Sequence, residues 1–335
     1  MPDYQNILIS RTDAIGDVVL TLPLAGIIKE YFPNSKVFFL GKSYTKDIIL
    51  LSEHVDGFIN WSELENNPIN EQIDTIKQYY IDTIIHIFPN KSIAKIAKKA
   101  GIKNRIGTAH RTFHWNTCNK LLNFSRKNSD LHEAQLNTKL LKPLGIDRNF
   151  SLDELVDYYG FSRVKSLDEK FINLLSKDKF NLILHTKSKG SAREWGLENF
   201  KKLIQILPKD KYQIFLSGTE EEGQLFRKHL LGDDHVVDIS GTMNLQEFVS
   251  FINSADGLIA ASTGPLHIAA ALGKRALGIY PPIRPMHPGR WKPIGKNADY
   301  LVKEKECSDC RLGGACHCML ELTPEMVAAK IQAKG

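Results

Sequence analysis

Two short stretches of the chain hold side chains whose types and spacing can do chemistry. The first is "RTDAIGDVVLTLP", residues 11 to 23, directly behind the apolar run "NILIS". It reads as a strand leaving its sheet, a tight turn at Gly16 and a helix beginning near Asp17. A carboxylate at that lip either caps the helix or accepts a proton from a substrate. Arg11 either meets an acidic group on a substrate or forms a buried ion pair. The second stretch is "LIAASTGPLHIAAALG", residues 258 to 273. A strand ends, Ser262, Thr263 and Gly264 turn, and Pro265 stands where a first helical residue belongs. The open N–H groups of such a helix mouth suit phosphate oxygens, and Gly264 lets an anion come close. His267, in the first turn, reaches the same anion or simply packs. The plain alternative is a structural helix capped by Thr263.

Other candidates are less specific. "PPIRPMHPGRWKPIG", residues 281 to 295, is a proline-stiffened loop holding Arg284, His287 and Arg290. These three side chains suit a clamp on phosphate or on an anionic acceptor, and a structural loop explains them as well. Among five cysteines, Cys118 stands alone, while Cys307, Cys310, Cys316 and Cys318 form C-x2-C-x5-C-x-C. Structural zinc is one reading of that set, but the second pair is tight for a tetrahedral site; reduced thiols in a cytoplasmic loop are the other. No G-x-G-x-x-G follows a strand, "LGKS" at 40 to 43 lacks the upstream glycine of a P-loop, and no H-E-x-x-H occurs. A dinucleotide-dependent dehydrogenase and an ATPase are thereby disfavoured.

The elements that must position these residues can be read from hydrophobic period. "NILIS", "KVFFL", "GFIN" and "DTIIHIF" look like buried strands, with "DVVLTLPLAGIIKEYF", "NEQIDTIKQYY" and "KSIAKIAKKAG" helical between them. After a polar stretch near residues 161 to 180 a second cycle begins. "NLILHT", "YQIFLS", "HVVDIS", "GLIAAS" and "RALGIY" alternate with helical segments such as "LENFKKLIQIL" and "EEEGQLFRKHLL". Alternation of this kind predicts parallel sheets covered by helices. At 335 residues, about two domains are expected. The expected boundaries are 1–165 and 166–335, giving two doubly wound α/β halves that face each other across a cleft. Ligands of such sheets bind at the carboxyl ends of the strands. A last helix, about 323–333, is expected to pack back on the amino-terminal half.

Charge is unevenly spread. From Thr83 to Ser129 there is no Asp or Glu, while ten Lys and Arg residues occur, among them Arg105, Arg111 and Lys120. Such a segment draws an anionic partner or forms a solvated basic face; no nucleic-acid motif accompanies it, so nucleic acid is not expected. No window approaches the roughly 18 uncharged apolar residues of a membrane span. A cytoplasmic protein is expected, with any membrane contact peripheral to the cytoplasmic face of the inner membrane.

Taken together, "ILISRTDAIGDVVLTLP" and "STGPLHIAAALG" resemble glycosyltransferase family 9, the family of the ADP-heptose:lipopolysaccharide heptosyltransferases. "RIGTAHR" at 105 to 111, "HEAQLNTKLLKPLG" at 132 to 145, "AREWGLENFKKL" at 192 to 203, "GTEEE" at 218 to 222, "GTMNLQEF" at 241 to 248 and "CSDC…CMLELTPEMV" at 307 to 327 agree in the same order. The resemblance implies a GT-B architecture, with an acceptor-binding first domain and a nucleotide-sugar donor in the second. It further implies inverting transfer without metal or cofactor, onto an anionic, lipid-linked inner-core acceptor of lipopolysaccharide.

Carried over by position, the resemblance makes Asp17 the catalytic base. It makes Arg193, Glu222, Met243, Ser262, Thr263, Gly264, Pro265 and His267 donor-binding residues, with Glu222 at the ribose hydroxyls and Met243 at the adenine. For Glu222 the plain reading is an acid that suits its helix start, and for Met243 ordinary packing. Arg11, Gly16, Arg105, Arg111 and Lys120 fall on the acceptor side. Two positions depart from the family. Ser262 stands where an Asp is usual, and Arg193 where Lys is usual. The first leaves another nucleotide-linked sugar open, and also a non-catalytic nucleotide- or anion-binding protein; the second exchanges a point charge for a planar fork.

Overall fold

A buried parallel strand must be apolar on both faces, and "ILI" of residues 7 to 9 is fully buried. It lies at the centre of the first of two units in the computed structural model, which describes residues 4–284, 286–304 and 316–332. The units are Met1–Arg163 and Val164–Gly335, each built on one six-stranded parallel sheet. In the first unit the strands are β1 (Asn6–Ser10), β2 (Lys36–Gly41), β3 (Gly57–Asn60), β4 (Thr83–His86), β5 (Asn104–Thr108) and β6 (Lys120–Leu122), in the order β3-β2-β1-β4-β5-β6. Ser10, the last residue of β1, lies beside Leu40 of β2 on one side and His86 of β4 on the other. The chain therefore leaves β1 where the strand order reverses, which is where open α/β sheets hold ligands.

The second unit repeats this plan. Its strands are β7 (Phe180–His185), β8 (Tyr212–Ser217), β9 (Val236–Asp238), β10 (Gly257–Ala261), β11 (Arg275–Tyr280) and β12 (Ala298–Val302), in the order β12-β11-β10-β7-β8-β9. Here the reversal falls between β7 and β10, with His185 beside Ala260. The turn that follows β10 is the Ser262–Gly264 stretch.

Three strands, β5, β6 and β12, carry too little apolar signal to be read from sequence. β6 has three residues, and Lys120 and Leu121 on it are exposed at the sheet edge. The single long helix expected after β1 is two helices, Ile15–Val19 and Pro23–Tyr31. Pro23 has no N–H with which to continue the first helix, and it starts the second.

The last helix, Pro324–Gln332, corrects the expectation that it packs back on the first unit. Its Val327, Ala328 and Ile331 join the second unit's core beside Phe200, Leu203 and Trp195. Trp195 fixes the approach to that helix by donating its indole N–H to the Leu322 carbonyl at 2.7 Å.

Close backbone packing holds the helix Gly264–Ala271 in place. A Cβ added at Gly295 would lie 2.1 Å from the carbonyl oxygen of Ala270. Gly295→Ala is therefore expected to lower stability by about 1–3 kcal/mol, as overpacking does. A denaturant midpoint equal to that of the parent would show that the contact is not needed.

Candidate active site

Asp17 is not a helix cap. The helix starts at Ile15, Ala14 is its N-cap residue, and no side chain caps it; Asp17 is the third helical residue and Gly16 the second. The turn expected at Gly16 is thus helix, and the carboxylate turns back to Arg11. Arg11 Nη2 donates to Asp17 Oδ1 at 2.5 Å, while its Nε and Nη2 reach both oxygens of Asp13 at 2.8 and 2.9 Å. Arg11 Nη1 donates to Glu133 Oε1 at 3.0 Å. Arg126 Nη1 meets the same oxygen at 2.5 Å and Asn137 Oδ1 at 3.0 Å. Asn137 closes the ring by donating to the Leu20 carbonyl and the Thr21 hydroxyl, and that hydroxyl donates to the Asp17 carbonyl at 2.8 Å.

Arg11 is 3% exposed. Its donors are directed at the protein's own carboxylates, so the buried ion pair describes it and acceptor contact does not. Asp17 differs: its side chain keeps 20% of its surface open. Its Oδ1 is held by Arg11, and no hydrogen bond from another described residue reaches Oδ2. Burial pushes its pKa up to about 6, with Asp13 and Glu133 adding to the rise and Arg11 opposing it. Such a carboxylate is ionised at neutral pH, with one open oxygen and a basicity above that of an ordinary carboxylate.

At the carboxyl end of β4, beside Ser10 of β1, His86 is fully buried. Burial and the neighbouring His114 hold its pKa down to about 3, so the ring is neutral. Both ring nitrogens of His86 and the hydroxyl of Ser10 lack hydrogen-bond partners among the described residues.

Arg105 and Lys120 are not brought to this site. Both lie toward the amino ends of their strands, at the opposite edge of the sheet from Asp17. Arg105 ties its own unit together by donating to the Thr117 and Ile102 carbonyls. Arg111 is exposed, just ahead of the helix Thr112–Thr117. Glu133, Asn137 and Arg126 were not singled out from sequence. The fragment "HEAQLNT" and the basic run carried a faint signal of them.

In the second unit the candidate donor residues gather on the carboxyl edge of the sheet. Thr263 occupies the N-cap position of the helix Gly264–Ala271, yet makes no capping bond. Its hydroxyl is buried without a hydrogen-bond partner among the described residues. The capped-helix alternative therefore fails here, and the first turn's amides keep their hydrogen-bonding capacity. Gly264 and Pro265 are the first two helical residues, and His267 is buried in the first turn. Ser262 hydrogen-bonds to the hydroxyl of Tyr280, whose proton goes to the Trp291 carbonyl at 2.6 Å. This anchors the loop of Arg284, His287 and Arg290 beside the Ser262 turn.

That loop is only partly a cation cluster. His287 caps the helix Pro288–Trp291, its Nδ1 accepting from the Gly289 N–H at 2.9 Å. The Arg290 guanidinium lies 5.2 Å from the Trp291 ring centroid, and Arg284 is exposed. After β7, Arg193 sits in a loop stapled by Glu194, which accepts from Lys187 and from the Ser188 N–H.

Glu222 is 6% exposed and closes a capping box, accepting from the Thr219 N–H at 2.8 Å through Oε2. The plain reading accounts for that oxygen. No hydrogen bond from another described residue reaches Oε1. Met243 is half-buried immediately before Asn244, the N-cap residue of the helix Leu245–Ser254.

Cys307 and Cys310 lie outside the described residues; Cys316 and Cys318 are buried. Among the described residues no group of three or more His, Cys, Asp or Glu side chains is placed to hold a metal ion. Nor is any described helix long and apolar enough to cross a membrane.

The chain is similar to known proteins in sequence and in fold. A family model described as glycosyltransferase family 9 (heptosyltransferase) matches residues 73–315. A Haemophilus influenzae protein provisionally named a glycosyltransferase is 28% identical over 299 residues, 87% of this chain and 86% of its own. Lipopolysaccharide heptosyltransferase 3 of Escherichia coli K12 is 20% identical over 279 residues, 79% of each chain. Among solved structures, E. coli ADP-heptose lps heptosyltransferase II superposes with a TM-score of 0.78 at 16% identity, over 98% of both chains. That likeness shows the GT-B fold. With the family model spanning more than half of its length, the chain belongs to glycosyltransferase family 9 and is a heptosyltransferase-like enzyme.

Proposed function

We propose that this enzyme moves a heptose from a nucleotide-linked donor, ADP-heptose, to a hydroxyl of an anionic, lipid-linked core glycan, with inversion and with Asp17 as base. The observation that carries the reading is the Asp17 carboxylate, pinned through Oδ1 by Arg11 and open at Oδ2. An acceptor hydroxyl gives its proton to Oδ2 as its oxygen bonds to the anomeric carbon. The bond from that carbon to the diphosphate breaks on the opposite face, and the nucleoside diphosphate leaves with the electron pair.

The leaving charge needs stabilisation. The Gly264 amide at the helix mouth, the Thr263 hydroxyl and the Arg193 guanidinium are the groups proposed to supply it. Oε1 of Glu222 is left to accept from ribose hydroxyls, and Met243 to line the base. Family membership and the repeated switch-point geometry support this assignment, and the reaction is assigned to the cytoplasm.

Ser262 makes the sugar the point to test. A panel of ADP-, UDP- and GDP-linked sugars, with and without a lipid-linked core acceptor, should show acceptor-dependent nucleotide release with the ADP-heptose donor. Release that ignores the acceptor, or binding without any release, would overturn the transferase reading. Thr263→Val removes a hydroxyl that has no hydrogen-bond partner among the described residues. It should leave thermal stability unchanged and raise the donor KM about tenfold, as loss of one charge-assisted hydrogen bond does. An unchanged KM would remove Thr263 from the donor site.

A further inference from the structure

The acid-free segment from Thr83 to Ser129 becomes a surface in the folded first unit. The helix Lys91–Lys99 buries Ile93, Ala94, Ile96 and Ala97 and turns Lys91, Lys95, Lys98 and Lys99 outward. The helix Thr112–Thr117 packs against it, and Lys98 Nζ ties the two by donating to the Asn116 carbonyl at 2.7 Å. Trp115 stands 63% exposed on this second helix. Its orientation is fixed, because the indole N–H donates to the Ala109 carbonyl at 2.7 Å. Arg111, Lys120 and the 42%-exposed Leu121 extend the surface to the β6 edge of the sheet. On the other flank the helix Ile69–Lys77 carries exposed Glu71 and Asp74, which bound the basic area there.

We propose that the paired helices Lys91–Lys99 and Thr112–Thr117, with the adjoining β6 edge, dock on an anionic lipid bilayer and seat Trp115 at headgroup depth. A discrete anion is held by donors that converge on one point. These lysines instead fan out from a helix exterior at spacings of three and four residues, which matches an extended charged plane. A fixed, exposed indole beside such charges is the arrangement that anchors at a membrane interface. Nothing acidic within the segment opposes it. The inference rests on the proposal that the acceptor is lipid-linked, but its test needs no transfer activity.

Sedimentation of the full-length protein with phosphatidylcholine vesicles, with and without phosphatidylglycerol, tests it directly. Binding is expected only with phosphatidylglycerol, weakening with added salt and shifting tryptophan emission to the blue. Lys95→Gln/Lys98→Gln/Lys99→Gln should weaken partitioning about a hundredfold, at roughly fivefold per charge near the surface. Trp115→Ala should abolish the emission shift. Lys201→Gln/Lys202→Gln/Lys228→Gln in the second unit removes the same charge elsewhere and should bind as the parent does. An equal loss in that control would reduce the effect to net charge and overturn the proposal. So would a first-unit variant that still binds vesicles yet loses retention on a soluble polyanion such as heparin. A protein that binds vesicles but transfers no sugar would keep the docking surface and lose the transferase reading.

Discussion

Asp17→Asn is expected to lower kcat for sugar transfer by about a thousandfold, within the usual contribution of a positioned general base. The amide keeps the shape of the carboxylate and offers nothing to take the acceptor proton. Donor KM should stay near that of the parent, since the donor residues belong to the other sheet. Two further readings separate this outcome from misfolding. The parent enzyme should lose activity as pH falls through about 6, where Asp17 takes up its proton, and that limb should vanish in the variant. Stability should also hold or rise. Folded Asp17 keeps its proton to higher pH than the unfolded chain does. The group therefore favours the fold at low pH and withdraws that support as pH climbs through about 6. At pH 8 a neutral Asn removes this cost, so the variant should melt no lower than the parent. A fully active Asp17→Asn enzyme would end the base assignment.

Arg11→Gln is expected to have the largest effect on stability, a loss of about 3–5 kcal/mol, because it strips the shared cation from buried carboxylates. Asp13, Asp17 and Glu133 all bond to this one guanidinium, and Glu133 is 1% exposed. Arg126 remains on Glu133, but neither Asp13 nor Asp17 has a second cation among the described contacts. The acidic limb should also move up by about a unit, since Arg11 is what holds the Asp17 pKa down against burial. Arg11→Lys guards against a variant that does not fold. It keeps the charge but loses the planar fork, so it should recover most of the stability and little of the alignment. Denaturant titration and a kcat/KM profile against pH check both. An unchanged midpoint in Arg11→Gln would mean that the carboxylates do not depend on it.

Much of the scaffold was legible because buried parallel strands announce themselves as short apolar runs. β1, β3, β8 and β11 begin and end where those runs do. A strand as short as β6, three residues with Lys120 and Leu121 exposed, gave no such run. The stretches that hold Asp17 and Thr263 were also legible, since each lies in the connection that leaves a central strand.

Their partners were not. Arg11 and Glu133 are separated by 122 residues, and no local spacing encodes that pairing. The sequence left Arg11 with two roles, and only the folded ring of Asp13, Asp17, Glu133, Asn137 and Arg126 decides between them. Arg105 and Lys120 lie away from Asp17 for a related reason. A run of basic residues says nothing about which end of a sheet each one reaches, and the strand register sends these two away from Asp17.

The two sheets share one strand order, and each makes its own seat at its own reversal point. Every described hydrogen bond that holds Asp17 comes from the first unit, and Ser262 is anchored by Tyr280 within the second. The two halves of the chemistry can therefore diverge separately. A substitution at position 262 can alter the second seat and leave every described bond to the Asp17 side chain in place.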